Sequence, residues 1–178
     1  MVFLKQNIDN DLKQQIQAFI DENIEAPPSL LASFMGSIFD KVGRKATQDA
    51  LEVPHKSKIS KLLDSKKPTF SETLINFIDE RGLKDSDVYN KAGISRQLFS
   101  KIRIHPNYNP TKPTVLLFAL AMELDLDDTQ ELLASAGFTL SHSSKQDLII
   151  EFLITKGIHD IFTINDVLYE FKEPTLGT

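Results

Sequence analysis

The sequence predicts an all-α protein built around a five-helix domain, with an N-terminal helical extension and two extra C-terminal helices. Apolar residues recur at helical spacing almost throughout, and alternating strand-like runs are absent. Prolines and glycines stand where such helices would begin or end. The chain has 178 residues, of which 41% are hydrophobic and 25% charged, so it is long enough for a core and has a globular composition.

Residues 1–43 are predicted to be an N-terminal helical region. One helix is expected over 8–24, with Ile8, Leu12, Ile16, Phe19 and Ile20 on one face, and it ends before Pro27 and Pro28. A second predicted helix, residues 29–42, has too many apolar residues on one face to be exposed to solvent. It packs either on the C-terminal helices or against its own copy. We favour a homodimer with Phe34, Ile38 and Phe39 in the interface.

Residues 44–69 are predicted to be a basic linker. They are weakly periodic, are broken by Pro54 and Pro68, and contain one short helix around Lys56 to Leu63. We therefore place a domain boundary here, before a central domain over 70–140.

Regular start and stop signals divide the central domain into five helices. The predicted N-terminal signals are Ser71, then Asp85 or Ser86, Ser95, Pro113, and Asp127 with Gln130 as a capping box. Gly82, Gly93 and Gly137 are the predicted C-terminal stops. The extension over 141–178 adds a helix over 145–156, ended by Gly157, and one over 164–171, capped by Thr163. The SHSS stretch before the first of these is interpreted as a capping turn.

Charge is distributed unevenly along a chain whose net charge is −5. Residues 41–67 hold eight Lys or Arg against three acids, and residues 88–112 hold five cations and no acid. Residues 113–178 hold three cations against eleven acids. Because phosphate binding depends on where cations are concentrated, the acidic total does not exclude a nucleic-acid partner.

The segment DSDVYNKAGISRQLFSKI has the pattern of a helix-turn-helix. Gly93 allows a tight turn between two short helices, and the apolar positions Val88, Ile94, Phe99 and Ile102 are expected to face inward. Arginine can bind guanine bidentately, glutamine can bind adenine bidentately, and serine and lysine can reach bases or phosphates. The residues predicted to contact bases are Ser95, Arg96, Gln97, Ser100 and Lys101.

Further residues around this pair are predicted to contact phosphates. They are Lys91, Arg103 and Lys112, with Asn107 and Tyr108 from the loop HPNYNPTK. Two simpler interpretations stay open. The cations can merely solvate an exposed helix face, and the loop can be a turn that needs no ligand.

Residues 70–137 resemble the λ-repressor-like, XRE-type helix-turn-helix domain. The ending KPTVLLFALAMELDLDDTQELLASAG is similar to the last two helices of that family, and the tail is similar to a bacterial variant with two added helices. The resemblance implies that the second helix of the pair reads DNA. Two positions depart from the family pattern, because Tyr89 stands where alanine is usual and Ala92 where a bulkier residue is usual.

These observations favour a sequence-specific DNA-binding transcriptional regulator in the cytoplasm, without catalysis, metal or cofactor. No cysteine and no glycine-rich phosphate loop is present, and His55, His105, His142 and His159 lie far apart. The sequence contains no run of about 18 apolar residues, which a membrane-spanning helix would require. The alternative is a protein-interaction adaptor in which the helix-turn-helix is a scaffold and the apolar stripe or the acidic tail binds a partner.

Overall fold

A computed structural model describes residues 9–24 and 67–177, and these residues are all-α. They form eight helices and no strand. The helices are α1 (Asn10–Asn23), α2 (Phe70–Glu80), α3 (Asp85–Lys91), α4 (Arg96–Ile104), α5 (Lys112–Ala121), α6 (Leu126–Ser135), α7 (Lys145–Thr155) and α8 (Ile161–Glu170). The predicted apolar stripe over 29–42, with Phe34, Ile38 and Phe39, and nearly all of the predicted linker lie outside the described residues.

Helix α5 is the centre of the core formed by α2 to α6. Every residue from Val115 to Ala121 is buried, and α5 packs against α3, α6 and α8. The ring of Phe118 lies 6.3 Å from the ring of Phe70 on α2 and 6.0 Å from that of Phe99 on α4. A helix that is apolar all round requires neighbours on every side, which explains why the polar helices α3 and α4 lie at the periphery.

The other end of the core is organised by α7, which is also apolar around most of its circumference. Leu148, Ile149, Ile150 and Leu153 are fully buried, and α7 packs against α1, α6 and α8. Helix α1 contributes Ile16 and Ile20, and the Phe19 ring lies 5.3 Å from that of Phe152. Residues 9–24 and 68–177 accordingly belong to one compact unit.

The C-terminal stops of the helices agree with the sequence. Glycines 82, 93, 137 and 157 all adopt positive φ directly after a helix. Ser95 caps α4 by accepting a hydrogen bond from the backbone N–H of Leu98, and Pro113 lies in the first turn of α5. The SHSS stretch is a capping turn, since Ser144 accepts from the backbone N–H of Asp147.

Three of the predicted N-caps are wrong. Helix α2 is capped by Thr69 in a capping box with Glu72, α6 by Asp125, and α8 by Asp160. Ser71 instead lies inside α2, where its hydroxyl donates to the carbonyl of His105 at 3.1 Å. Asp127 lies in the first turn of α6, and the hydroxyl of Thr163 donates to Asp160. Each segment offers several capping side chains within three residues. At α2 the local pairing of Thr69 with Glu72 selects the cap, and at α6 and α8 the sequence pattern leaves more than one candidate.

Candidate nucleic-acid interface

The turn between α3 and α4 is fixed by the backbone. Gly93 adopts a φ of +66°, a region in which a Cβ would be strained, and its N–H donates to the carbonyl of Asn90. The N–H of Ile94 donates to the carbonyl of Tyr89 at 2.8 Å, which closes the end of α3. Ser95 caps the next helix, so the contacts of a few consecutive residues fix the angle between α3 and α4.

The inner faces of α3 and α4 anchor the pair in the core as the sequence predicts. Val88, Phe99 and Ile102 are buried, and Ile94 is partly buried against the same cluster. Tyr89 and Ala92 both belong to this packed inner side. Tyr89 packs its ring 5.5 Å from that of Phe99, whereas the small Ala92 is buried where the chain turns.

The outer face of α4 presents the residues predicted to contact bases. Ser95, Arg96, Gln97 and Lys101 are exposed, and Ser100 is partly exposed. Within the described part of the chain, the side chains of Arg96 and Gln97 make no hydrogen bond or ion pair. Their donors and acceptors are therefore available to a ligand that approaches this face.

The loop after α4 lies beside that face. The N–H of Tyr108 donates to the carbonyl of His105 at 2.9 Å, so the loop is a turn as expected. The Lys101 ammonium stands 5.6 Å from the centre of the Tyr108 ring. Together they border an open pocket of about 530 Å³ lined by Lys101, His105, Pro106, Asn107, Tyr108 and Asn109. The fold thus brings the predicted residues Asn107 and Tyr108 next to Lys101.

Three of the predicted phosphate contacts are already bound to acids of the same chain. Lys91 pairs with Glu123 and Arg103 with Asp85, and both pairs are exposed. Lys112 pairs with Asp147, whose side chain is only 4% exposed and also accepts from the N–H of Ser141 at 2.9 Å. An exposed pair contributes little to stability and can be exchanged for a phosphate, whereas a buried one resists exchange.

The ion pair of Lys91 with Glu123 also changes the pKa of the Glu123 carboxyl. The hydrogen bond and the charge of Lys91 lower the pKa of the Glu123 carboxyl below its ordinary value, and the charge of His159 acts in the same direction. A glutamate is ionised at neutral pH in any case, and the lowered pKa extends the range over which Glu123 can pair with Lys91 to more acidic pH. In the described ranges, Arg96 and Lys101 are the members of the basic segment without an acidic partner.

The sequence gives no signal for these acidic partners. Asp85, Glu123 and Asp147 lie 18, 32 and 35 residues from the cations that they bind. No helical or strand spacing relates residues so far apart, so only the packing of α3, α5 and α7 brings them together. In contrast, Ile104, which is 72% exposed on α4, has a helical spacing from Gln97 and Lys101 that the sequence displays.

No three His, Asp or Glu side chains in residues 9–24 and 67–177 are grouped closely enough to hold a metal ion. Over the same ranges, no helix has the length and apolarity that crossing a membrane requires. Comparison with known proteins returns no matching family model, no matching curated protein and no matching solved structure.

Proposed function

We propose that the protein is a sequence-specific DNA-binding transcriptional regulator that inserts α4 into the major groove of double-stranded DNA as the second helix of a helix-turn-helix. The observation that carries the proposal is the contrast between the two faces of α4. Its inner face is held by Phe99 and Ile102, and its outer face offers Arg96 and Gln97 without partners in the described chain. A rigidly held helix with free bidentate side chains is what base reading requires.

The surroundings of α4 support the proposal. Ser95, Ser100 and Lys101 extend the same surface, and the loop with Asn107 and Tyr108 adds hydrogen-bonding groups next to Lys101. Base contacts specify a sequence, but phosphate contacts fix the orientation of the protein. Arg96 and Gln97 take the first role in this proposal. Lys101, which the sequence alone places among the base contacts, is assigned with the loop to the phosphate backbone, because its ammonium stands beside the Tyr108 ring.

The regulator binds as a homodimer in this proposal. One helix-turn-helix contacts few base pairs, and two half-sites about one helical turn apart are the usual arrangement that raises specificity. The proposed interface contains Phe34, Ile38 and Phe39. Sedimentation of the intact chain and of the Phe34→Asp/Phe39→Asp variant tests it, and a wild type that stays monomeric at tens of micromolar contradicts the dimer.

The function is tested by selecting duplexes from a random library with the full chain and measuring affinity in a salt series. We expect one enriched motif, and a slope of log affinity against log salt of about 2–4 in magnitude per protomer. A shuffled duplex of the same composition is the matched control. Failure to enrich any motif, with no affinity at low salt, rejects DNA reading.

A second function, as a protein-interaction adaptor, is favoured by the internal ion pairs. Because Lys91, Arg103 and Lys112 are bound to acids of the chain, the positive potential beside α4 is smaller than the sequence suggests. An adaptor predicts that no duplex is enriched at any salt concentration. It also predicts that substitutions on α4 leave partner binding unchanged.

A further inference from the structure

The strongest unassigned feature of the outer face of α4 is its exposed apolar side chain. Ile104 is 72% exposed, whereas Ile102, two residues earlier, is fully buried. At about 100° per residue, Gln97, Ser100, Lys101 and Ile104 form one stripe along the helix. Ile104 therefore shares the surface that carries the proposed base contacts.

An isolated exposed isoleucine needs no explanation by itself, but its position does. Ser100 and Lys101 lie one turn before it on the same side of the helix, and the open pocket lined by His105 and Tyr108 follows it in the chain. The isoleucine side chain has no hydrogen-bond donor or acceptor, so it cannot hydrogen-bond to the edge of a base. It can make a favourable contact with the one apolar group in the major groove, which is the 5-methyl group of thymine.

We infer that Ile104 is a specificity-determining residue that contacts a thymine methyl group in the DNA site, an inference that rests on the proposed function. Ile104 lies seven residues beyond Gln97, which is about 10 Å along the helix. Successive base pairs are about 3.4 Å apart, so the thymine stands within about three base pairs of the base read by Gln97.

The test uses the duplex selected by the full chain and replaces each of its thymines, one at a time, with deoxyuridine. Deoxyuridine keeps every hydrogen-bonding group and removes only the methyl group. The wild type should lose about fourfold in affinity at one thymine, the effect of removing one buried methyl group. Ile104→Ala should bind the unmodified duplex about as weakly and lose nothing further with deoxyuridine at that position.

The matched control is Phe162→Ala, because Phe162 is an apolar residue of α8 that is 82% exposed. This variant should retain the full sensitivity of the wild type to deoxyuridine. If the wild type binds its site but no thymine is sensitive, or if Ile104→Ala remains fully sensitive, the inference is overturned and DNA reading stands. If no duplex is selected at all, the proposed function fails first.

Discussion

At the scale of single residues, the cations near α4 differ in whether an acid of the same chain already binds them. Arg103 and Lys91 have exposed acidic partners, Lys112 has a buried one, and Arg96 and Lys101 have none in the described chain. A phosphate or a base competes with an existing partner before it gains a contact. In the proposed function these residues should therefore contribute unequally to DNA binding, and the sequence alone does not distinguish Lys112 from Lys91 and Arg103.

Replacing Arg96 with alanine should weaken binding to the selected duplex by about 1–3 kcal/mol and relax the preference at one base pair, because a bidentate contact to guanine is lost. The measurement is a binding titration against the selected duplex and its single-base variants. Arg81→Ala is the control, since Arg81 lies at the end of α2 and pairs with Asp128. Equal losses for the two variants would contradict base reading by Arg96.

Lys101 and Lys112 should behave oppositely when each is replaced with alanine. Lys101→Ala should flatten the salt slope by about one at unchanged stability, because an exposed phosphate contact is removed. Lys112→Ala should leave the slope nearly unchanged and lower the free energy of unfolding by about 1–3 kcal/mol, because the buried carboxylate of Asp147 loses its counter-ion.

Salt-dependent binding and urea denaturation of both variants separate these effects. Asp147→Asn is the control for the buried pair, and it should also destabilise the protein without changing the salt slope. If Lys112→Ala flattened the slope as much as Lys101→Ala at unchanged stability, Lys112 would be a phosphate contact.

At the scale of helices, six of the eight described helices are followed by a residue with positive φ, and in two of these six that residue is not glycine. Glycine follows four helices with positive φ, but Glu123 after α5 and Lys172 after α8 adopt φ of 53° and 62°. Both stand in the same type of cap, since the N–H of Leu124 donates to the carbonyl of Ala119 and that of Glu173 to Leu168. A side chain in this region is strained, and the exposed pair of Glu123 with Lys91 contributes little against that cost.

Lys172→Gly should raise the free energy of unfolding by about 0.5–1 kcal/mol. Relief of the left-handed strain exceeds the extra backbone entropy that glycine loses on folding. Lys172→Ala is the control, because it removes the same side chain and keeps the strain, so its stability should stay close to that of the wild type. Urea denaturation measures both, and a destabilised glycine variant would contradict this account of the cap.

The sequence predicted the existence of each described helix, but it did not predict the first residue of several of them. Spacing of apolar residues and the glycine stops depend on a few neighbours, which the sequence contains. Choosing Asp160 over Thr163 depends on how the helix packs, because both side chains are competent caps. Thr69 was readable from the sequence, since Glu72 three residues later completes a capping box that Ser71 lacks.

At the scale of the whole molecule, α1 is a structural part of the C-terminal core. Ile16 and Ile20 pack against α7, and Lys13 pairs with Glu170 on α8 at 2.8 Å. Since α7 is apolar on nearly every side, it requires a cover that α6 and α8 alone do not supply.

Ile16→Ala should therefore lower the free energy of unfolding by about 2–5 kcal/mol, the usual cost of a cavity in a packed core. Gln14→Ala, on the exposed face of the same helix, is the matched control and should be nearly neutral. Urea denaturation with a probe of global helicity provides the comparison. Equal stabilities of the two variants would mean that α1 is not part of the cooperative unit.

The sequence by itself determined the helical class, most helix ends, the inward side of α3 and α4, and the identity of the side chains on the outer face of α4. All of these follow from interactions within about four residues, which a linear pattern contains. Only the tertiary structure decided which cations of the described ranges lack an acidic partner, that Tyr89 packs on Phe99, and that α1 covers α7. The physical reason is that these depend on groups separated by tens of residues, and their approach is governed by how the apolar helices α5 and α7 are enclosed.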